Sequence, residues 1–393
     1  MTDLADRERA AHVLVVSTML DLATDAVVRI LGQLGVYVTR WNSEEYPFSS
    51  RLTTAISPTT NAPPKASLAR ADGPNRSLED VTAVWYRRVR VPERPAGMDS
   101  GVYDFCLREA RAGLVGTLLS ALPTDTRWMS DPRAVWAAEW KLLQLASAKD
   151  AGLVVPETVV TNDAAAVRSA FARFGGAMIA KPTRTGYLEV EGRPFGIYTS
   201  RVLTEHLESL DGASLSPVIY QPLVEKRCDV RVTVVGSRIF AAEIDSQSDA
   251  AARVDWRQTE NPALPHRRIE LPLPLRETVL RLMRALGLEF GALDFIQTPD
   301  GDYVFLEVNP NGQWLWLDEQ LGFGISEAIA EWLALVDGGA ARRARRTKTP
   351  PGTSGRTRRW PARLVVHAPS EGAGPRLAEC GFGDARRGGR GAN

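Results

Sequence analysis

Acidic side chains within two apolar runs, GALDFI and VFLEVNP, are the residues of this sequence best suited to chemistry. The dipeptide Asp300-Gly301 favours a tight two-residue turn between antiparallel strands. With that dipeptide at the centre of the turn, Asp294 lies opposite Glu307, and Asn309 follows on the same face. Opposed carboxylates repel, and a divalent cation would remove the repulsion, whereas a solvated acidic face with lysine partners is the alternative. Oxygen ligands of this kind suit Mg²⁺, with phosphate oxygens completing its shell.

Two lysines lie in apolar surroundings. Lys141 lies in the helical segment WKLLQLASAKDAG, and Lys181 ends the apolar strand IAKP. Lysines in such settings either extend along apolar surface into solvent or bind a fixed anion. Because a magnesium site is predicted in the same chain, phosphate contacts are the favoured interpretation.

Asp229 and Arg231 are two residues apart on one predicted strand, so both side chains lie on one face. The guanidinium of Arg231 suits a phosphoryl or acyl-phosphate oxygen. A structural Asp–Arg pair explains the spacing equally well. The sequence has neither a G-x-x-x-x-G-K-[ST] loop nor a G-x-G-x-x-G fingerprint, so a nucleotide would be held by another architecture.

The charge of the chain is unevenly distributed. Residues 341–393 carry 13 Lys and Arg against 3 Asp and Glu, whereas residues 1–340 carry 35 against 44. An acidic body argues against a protein that wraps nucleic acid. The Gly-, Pro- and Arg-rich segment 338–393 is predicted to be a disordered basic tail, whose role stays open between a solvated tail and a contact with RNA, lipid or the body.

The remaining composition limits the class of protein. A chain of 393 residues is expected to form two or three domains. No apolar run reaches the length of a membrane span, and acidic residues precede the first apolar run, so neither a membrane nor a secretory signal is expected and the location is predicted to be cytoplasmic. The three cysteines lie far apart, which supports neither a zinc site nor a disulfide framework.

Apolar periodicity predicts the elements that position these residues. A strand at 12–18, a helix at 21–35 and a strand at 36–41 indicate a parallel α/β crossover. Residues 42–80 read as irregular or weakly sheet-like. The other predicted elements are a strand at 83–89, helices at 99–122, 132–151 and 161–175, a strand at 177–182, a loop or loose hairpin at 183–199, a strand at 218–224, paired strands at 228–245, a helix at 273–287, a hairpin at 290–310 and a helix at 324–336.

Residues 13–335 together resemble the ATP-grasp ligases. The motifs that carry the resemblance are K-x-x-x-L-x-x-A-x-x-x-G-L-x-x-P-x-T (141–158), AKP (180–182), YQPLVEK (220–226), D-x-R-V-x-V-V-G (229–236), GALDF (291–295) and FLEVNPNGQWLWL (305–317). Within that family, the chain is most similar to the ribosomal-peptide maturases of the microviridin (graspetide) type. The segments typical of that group are VWYRR (84–88), AAEIDSQ (241–247), DWR (255–257) and EVNPNGQWLWLDEQLG (307–322).

The resemblance implies an α/β chain, α+β in its catalytic half, with the ATP-grasp fold. The expected divisions are a pre-ATP-grasp α/β domain at 1–130, a central lid subdomain at 131–225, a C-terminal subdomain with the metal site at 226–337, and the tail at 338–393. It also implies ATP and Mg²⁺ as cofactors.

Family motifs also assign roles to single residues. The chain departs from the family at Trp140, where a polar residue is usual, and at Pro222, a hinge position that is often acidic. The implied roles are metal ligation for Asp294, Glu307 and Asn309; phosphate binding for Lys141 and Lys181; adenine contacts for Gln221, Leu223, Val224 and Glu225; ribose binding for Asp229; and catalysis near the transferred phosphate for Arg231 and Arg257.

The implied reaction joins side chains within a ribosomally made precursor peptide through acyl-phosphate intermediates. The expected partner is that precursor, with a leader and a core that carries Thr, Ser or Lys and Glu or Asp; a homodimer is left open. Two alternatives remain: a ligase that adds an amino acid such as glutamate, and a non-catalytic ATP-binding module.

Overall fold

A computed structural model describes residues 10–335, except for residues 60–62, 71–72, 185, 191–192, 260 and 262–263. The predicted disordered tail, residues 338–393, lies outside the described residues. The strands are β1 His12–Ser17, β2 Tyr37–Asn42, β3 Ser50–Ala55, β4 Lys65–Arg70, β5 Arg76–Ser77, β6 Ala83–Tyr86, β7 Arg127–Trp128, β8 Val159–Thr161, β9 Met178–Pro182, β10 Tyr187–Val190, β11 Arg193–Gly196, β12 Ser200–Val202, β13 Val218–Pro222, β14 Cys228–Val235, β15 Arg238–Ile244, β16 His266–Ile269, β17 Phe290–Gln297 and β18 Tyr303–Asn309. The helices are α1 Leu22–Gln33, α2 Ser100–Ala121, α3 Pro132–Ala138, α4 Lys141–Ala151, α5 Ala164–Arg173, α6 Leu273–Leu286, α7 Leu315–Leu321 and α8 Ile325–Ala334.

The N-terminal part of the chain is an α/β unit around a parallel sheet. Its strands lie in the order β2-β1-β6-β7, and β1 pairs parallel with both β2 and β6. The predicted parallel crossover is therefore confirmed. Asp21 caps α1 by accepting from the backbone of Thr24, and the apolar face of α1 packs with the strands and α8 in one core. Residues 42–80, predicted to be weakly sheet-like, contain the antiparallel sheet β3-β4-β5.

The N-terminal unit is followed by the two-stranded hairpin β10-β11, within the predicted loop or loose hairpin at 183–199, and by two larger antiparallel sheets. The smaller of these two sheets has the order β12-β9-β13-β8, and α5 packs on it. The larger has the order β16-β15-β14-β17-β18 and packs against α3, α4 and α6. The segment from β13 to β14 connects the two sheets. Periodicity missed β16 and α7, which are short elements of four and seven residues. Within the described residues, no helix has the length and apolar character that crossing a membrane requires.

The predicted single helix at 132–151 is wrong, because the structure contains two helices there. Trp140 adopts an extended conformation with φ −83° and ψ 102° between α3 and α4. Gln144 stabilises this break, since its amide donates to the carbonyl oxygen of Ala138 and, at 2.8 Å, to that of Val308. The residues across the break all favour helix, so the break depends on a tertiary contact that spacing does not reveal. It makes Lys141 the first residue of α4.

The predicted pairing of Asp294 with Glu307 is confirmed, although the predicted turn is not. Thr298 donates its backbone N–H to the carbonyl of Asp302, so the loop between β17 and β18 has three central residues rather than two. That loop alone would shift the register by one residue. A bulge between Asp294 and Phe295 shifts the register back, and the two carboxylates lie opposite each other as predicted.

Replacing Gly301 tests this loop. Gly301 has φ +92°, which an L side chain rarely adopts, so Gly301→Ala should lower the free energy of unfolding by about 1 kcal/mol. Gly116 lies exposed in α2 with open space around its Cα, so Gly116→Ala should raise that free energy by about 0.5–1 kcal/mol. Urea unfolding of both variants measures the difference. Stabilisation by Gly301→Ala would contradict the positive φ.

Candidate active site

A row of charged side chains crosses three neighbouring strands of the larger sheet. Arg231 on β14 is paired in register with Asp294 on β17, which is paired with Glu307 on β18. Arg231 Nη1 lies 2.9 Å from both carboxylate oxygens of Asp294, and Nη2 donates to the carbonyl of Gln313 at 3.2 Å. The predicted Asp229–Arg231 relation is therefore a shared face, while the ion pair of Arg231 is made with Asp294.

The two central carboxylates are held in different electrostatic states. Burial raises the pKa of Asp294, and Glu307 raises it further, while Arg231 acts to lower it. Burial also acts to raise the pKa of Glu307, but Lys141, Arg257 and Lys181 outweigh it and lower that pKa to about 2. Glu307 is thus the carboxylate that stays ionised most firmly.

Glu307 is bonded by two cations that come from separate segments. Lys141 Nζ lies 3.0 Å from Glu307 Oε2, and Arg257 Nη1 lies 3.3 Å from Oε1. Arg257 is itself held by Asp255, at 2.8 Å through Nε and 2.7 Å through Nη2. These hydrogen bonds raise the pKa of Arg257, so this guanidinium is a permanent positive charge beside the carboxylate row.

A pocket opens over this row, and eight of the twelve predicted site residues line it. Four predicted residues lie outside the lining. Lys141 and Arg231 contact lining carboxylates, while Asn309 and Glu225 are exposed. The eight lining residues are Lys181, Gln221, Leu223, Val224, Asp229, Arg257, Asp294 and Glu307.

Lys181 is the least compensated charge in the pocket. Its side chain is buried, and within the described part of the chain it has no ion pair within 4.0 Å. Burial lowers the pKa of Lys181 to about 8, although Glu307 acts to raise it. A buried, unpaired ammonium is costly, and an anionic ligand would remove that cost. The position therefore fits a phosphate group.

Gln221 provides a second unsatisfied group, on strand β13, which is paired with the strand β9 that carries Lys181. Its Nε2 donates to Thr158 Oγ1 at 2.8 Å, while its buried Oε1 has no hydrogen-bond partner in the described part of the chain. The next residues, Leu223 and Val224, line the pocket with apolar side chains. A flat aromatic ring with amino donors would fit this wall, because buried acceptors in native proteins are nearly always paired.

Sequence reasoning missed three residues that position this site. Lys226 donates to Asp229 Oδ2 at 2.6 Å, and burial raises the pKa of that carboxyl against the effect of Lys226. Asp255 orients Arg257, as described above. These two residues, like the third, lie in motifs noted in the sequence, but motif membership does not reveal which partner each charge contacts. The third, Arg87, is fully buried, bonds Asp21 Oδ2 at 2.9 Å and donates to Gln313 Oε1 at 3.2 Å.

Gly312 explains why the loop after β18 can approach the row so closely. A Cβ at this position would lie 2.3 Å from the Cβ of Ala292 and 2.9 Å from Arg231 Nη2. Only glycine fits between the sheet and the guanidinium. The residue therefore sets how near the 310–314 loop lies to the carboxylates.

The donor set fits a hard divalent cation. Among the described residues, no group of three or more His, Cys, Asp and Glu is arranged to hold a metal ion. The candidate set instead combines the two carboxylates with the amide oxygen of Asn309, which accepts from the backbone N–H of Asn311 at 2.9 Å and retains a second lone pair. All three donors are oxygens, the ligands that Mg²⁺ prefers.

Comparison with known proteins shows which proteins this chain resembles. A family model described as the MvdD pre-ATP grasp domain matches residues 12–134. A RiPP-associated ATP-grasp ligase of Chryseobacterium gregarium, solved in complex with ADP and a leader and core peptide, is 29% identical, with a TM-score of 0.75 over 82% of this chain and 96% of that chain. The macrocyclase MdnB of Microcystis aeruginosa MRC is 30% identical, with a TM-score of 0.69 over 83% of this chain and 100% of that chain.

A curated relative matches a shorter stretch. The glutamate–LysW ligase ArgX of Sulfolobus acidocaldarius is 25% identical over 173 residues, which are 43% of this chain and 59% of the relative. The chain therefore matches less than two thirds of this relative's length.

Replacing Lys181 tests its uncompensated charge. Lys181→Met should raise the free energy of unfolding near pH 7 by about 2–3 kcal/mol, because it removes a buried ammonium with a lowered pKa. Between pH 8 and 10.5 the unfolded chain binds more protons at Lys181 than the folded chain does, so the free energy of unfolding of the wild type rises with pH. The stabilisation produced by Lys181→Met therefore becomes smaller over this range.

Urea unfolding near pH 7 and near pH 10 measures this change. As a control, Lys149→Met removes an exposed lysine from α4 and should leave the free energy of unfolding nearly unchanged. A gain that does not depend on pH would contradict the assigned charge state.

Proposed function

Because the chain belongs to the ATP-grasp ligase family, in the group of the ribosomal-peptide maturases of the microviridin type, we propose that it is an ATP-dependent peptide maturase. It activates Asp or Glu side chains of a ribosomally made precursor peptide as acyl phosphates. A Ser or Thr hydroxyl or a Lys amine of the same peptide then forms an ω-ester or ω-amide with release of phosphate. The MdnB relative, described as a macrocyclase, and the Chryseobacterium relative in complex with a leader and core peptide support this proposal.

The observation that carries the proposal is the conjunction of paired carboxylates and an unpaired ammonium at one pocket. Asp294 and Glu307 lie opposite each other on adjacent strands, and Lys181 lies buried beside them without an ion pair among the described residues. A carboxylate pair alone would suit many cations, and a lysine alone would suit many anions. Together they suit a polyphosphate that carries its own magnesium ion.

The chain's own residues would divide the binding of magnesium-ATP. Asp294, Glu307 and Asn309 would hold Mg²⁺, which supplies charge neutralisation at the transferred phosphate. Lys141 and Lys181 would bind phosphate oxygens. The adenine would lie on the wall formed by residues 221–225, and Asp229 would bind the ribose.

Arg231 and Arg257 would act on the reacting groups. Each guanidinium is held rigidly, Arg231 by Asp294 and the carbonyl of Gln313, and Arg257 by Asp255. A fixed positive charge stabilises an acyl phosphate without reorganising during the reaction. Carboxylate activation of this kind needs no covalent enzyme nucleophile, so the enzyme's contribution is positioning and charge neutralisation.

We also propose the divisions 1–130, 131–225 and 226–337 as the functional units.

A second candidate is a ligase that adds an amino acid, and the match to the glutamate–LysW ligase favours it. The two reactions share the activation step and differ in the nucleophile. In the first the nucleophile belongs to the activated peptide, and in the second it is the amino group of a separate molecule. The change in substrate mass therefore distinguishes them.

Mass spectrometry of a precursor peptide provides the direct test. The chain is incubated with ATP, Mg²⁺ and a short Ser/Thr- and Glu/Asp-bearing peptide encoded beside its gene. A maturase should remove the mass of one water for each bond formed and release one ADP per bond. A gain of one amino-acid residue in a reaction supplied with free glutamate would establish the second candidate instead. Nucleotide binding with neither mass change nor ADP release would refute both.

Substitutions at the carboxylate row test the metal assignment. Asp294→Asn and Glu307→Gln should each reduce ADP release by about 10²-fold or more, because each removes a charge that holds the metal. Circular dichroism should show an unchanged fold. Asp302→Asn removes an exposed carboxylate of the same hairpin and should keep wild-type turnover. Near-normal turnover in both row variants would rule out the assigned ligands.

A further inference from the structure

A second concave surface, the arginine groove, lies between β6, α2 and α3. Five arginines line it, and its walls between them include Val89, Val91, Leu107 and Trp136. The arginines come from three separate parts of the chain, so their convergence is a product of the fold. They are Arg88, Arg90, Arg108, Arg111 and Arg184.

The positive charge of this groove is mostly uncompensated. Glu139 is the acidic residue among the described lining residues, and it pairs with Arg184. The other four arginines have no ion pair within 4.0 Å in the described part of the chain. Arg111 lies over the ring of Trp136, with its guanidinium carbon 4.6 Å from the ring centroid. That contact fixes the side chain and leaves its charge available.

Arg88 is held in the groove by a strained backbone. It has φ +22°, a value that non-glycine residues rarely adopt. Its neighbour Arg87 points into the core, where it bonds Asp21, whereas Arg88 is exposed at the groove. The two consecutive arginines therefore lie on opposite sides of the chain, one in the core and one at the groove. Strain of this kind concentrates at ligand-binding positions.

The groove ends beside the candidate active site. Asn311 lines the groove, and its backbone N–H donates to Asn309, one of the candidate magnesium ligands. Glu139, also in the groove, is two residues before Lys141, which bonds Glu307. The groove is therefore connected to the carboxylate row through Asn311 and through the segment from Glu139 to Lys141.

We propose that the arginine groove binds the Asp- and Glu-bearing segment of the peptide substrate and delivers its carboxylates to the active site. The inference rests on the proposed function and adds the residues that recognise the substrate. Guanidinium groups bind carboxylates through paired hydrogen bonds, and the apolar walls suit the intervening side chains of a peptide. Residues 1–340 carry more acidic than basic residues, so the field of the body disfavours a long nucleic acid in the same groove.

Fluorescence anisotropy with synthetic peptides tests this surface directly. The probe is a fluorescein-labelled peptide of alternating Glu and Thr, and its matched control has Gln in place of Glu. The variant Arg90→Glu/Arg108→Glu reverses two exposed groove charges whose guanidinium groups have no ion pair within 4.0 Å among the described residues, while the backbone N–H of Arg90 still donates to Ser43 Oγ. Its control, Arg29→Glu/Arg284→Glu, makes the same change in net charge on α1 and α6. Binding of a fluorescent ATP analogue verifies that each variant keeps the nucleotide pocket.

The Glu–Thr peptide should bind the wild type, and the Gln–Thr peptide should bind about tenfold or more weakly. The groove variant should lose about tenfold in affinity for the Glu–Thr peptide, while the control variant stays near wild type. Equal binding of the two peptides, or equal loss in the two variants, would overturn the proposal. So would an RNA oligonucleotide that binds the groove more tightly than the peptide does.

This measurement needs no turnover, so it separates the two proposals. Groove-dependent binding of the acidic peptide without crosslinking in the mass assay would refute the maturase and leave the groove assignment standing. If the groove variant binds the peptide with unchanged affinity and still crosslinks it, the groove assignment is refuted and the maturase proposal stands.

Discussion

The placement of two carboxylates opposite each other inside a sheet is the constraint on which the rest of the site depends. Asp294 and Glu307 occupy paired positions on β17 and β18, and such a pair is destabilising unless cations lie close by. Three segments supply those cations: β14 provides Arg231, the start of α4 provides Lys141, and the short helical turn at 256–258 provides Arg257. None of these segments is adjacent to another in sequence. The repulsion within the pair therefore makes the convergence of distant parts of the chain a condition for a stable fold.

A second set of contacts ties the N-terminal unit to this row. Arg87 is buried at the end of β6 and bonds both Asp21 and the side chain of Gln313, while Arg231 bonds the carbonyl of Gln313. The loop that carries Gln313 is pressed against the sheet, because Gly312 leaves no room for a side chain. Through these contacts the N-terminal α/β unit, which has no candidate catalytic residues of its own, is connected to the carboxylate row.

The sequence predicted the elements that depend on local pattern and missed the features that depend on tertiary contacts. The crossover at the N-terminus, the capped helix α5 and the long strands β14 and β17 follow from periodicity and turn residues. The pairing of Asp294 with Glu307 was predicted through a two-residue turn, and it holds because a three-residue loop and a bulge shift the register in opposite directions. The break at Trp140 could not be predicted, because the amide of Gln144 that stabilises it contacts β18 across a large sequence separation.

The sequence predicted which residues belong to the candidate site, but not which ion pairs they form. Eight of them line one pocket, which the motif order of the family anticipates. Their ion pairs were not predictable, since the spacing of Asp229 and Arg231 fits a mutual pair as well as the observed pairs with Lys226 and Asp294. A two-residue spacing determines which face a side chain occupies, and the neighbouring strand decides what it meets there. The sequence therefore predicts which face a charged residue occupies, whereas its ion-pair partner depends on the neighbouring strand.

The pocket and the groove each hold cations without an ion pair among the described residues, although residues 1–340 carry more acidic than basic side chains. Lys181 is buried without an ion pair among the described residues, and four exposed arginines of the groove also have no ion pair there. The charge of Lys181 lowers stability because burial removes water from it, and the groove arginines lower stability through their mutual repulsion. A ligand of the opposite sign would remove this cost in each region, and Asn311 of the groove donates its backbone N–H to Asn309, one of the candidate magnesium ligands. Polyphosphate on one side and peptide carboxylates on the other would each supply the missing negative charge. The negative surroundings would at the same time disfavour polyanions too large to fit the two clefts.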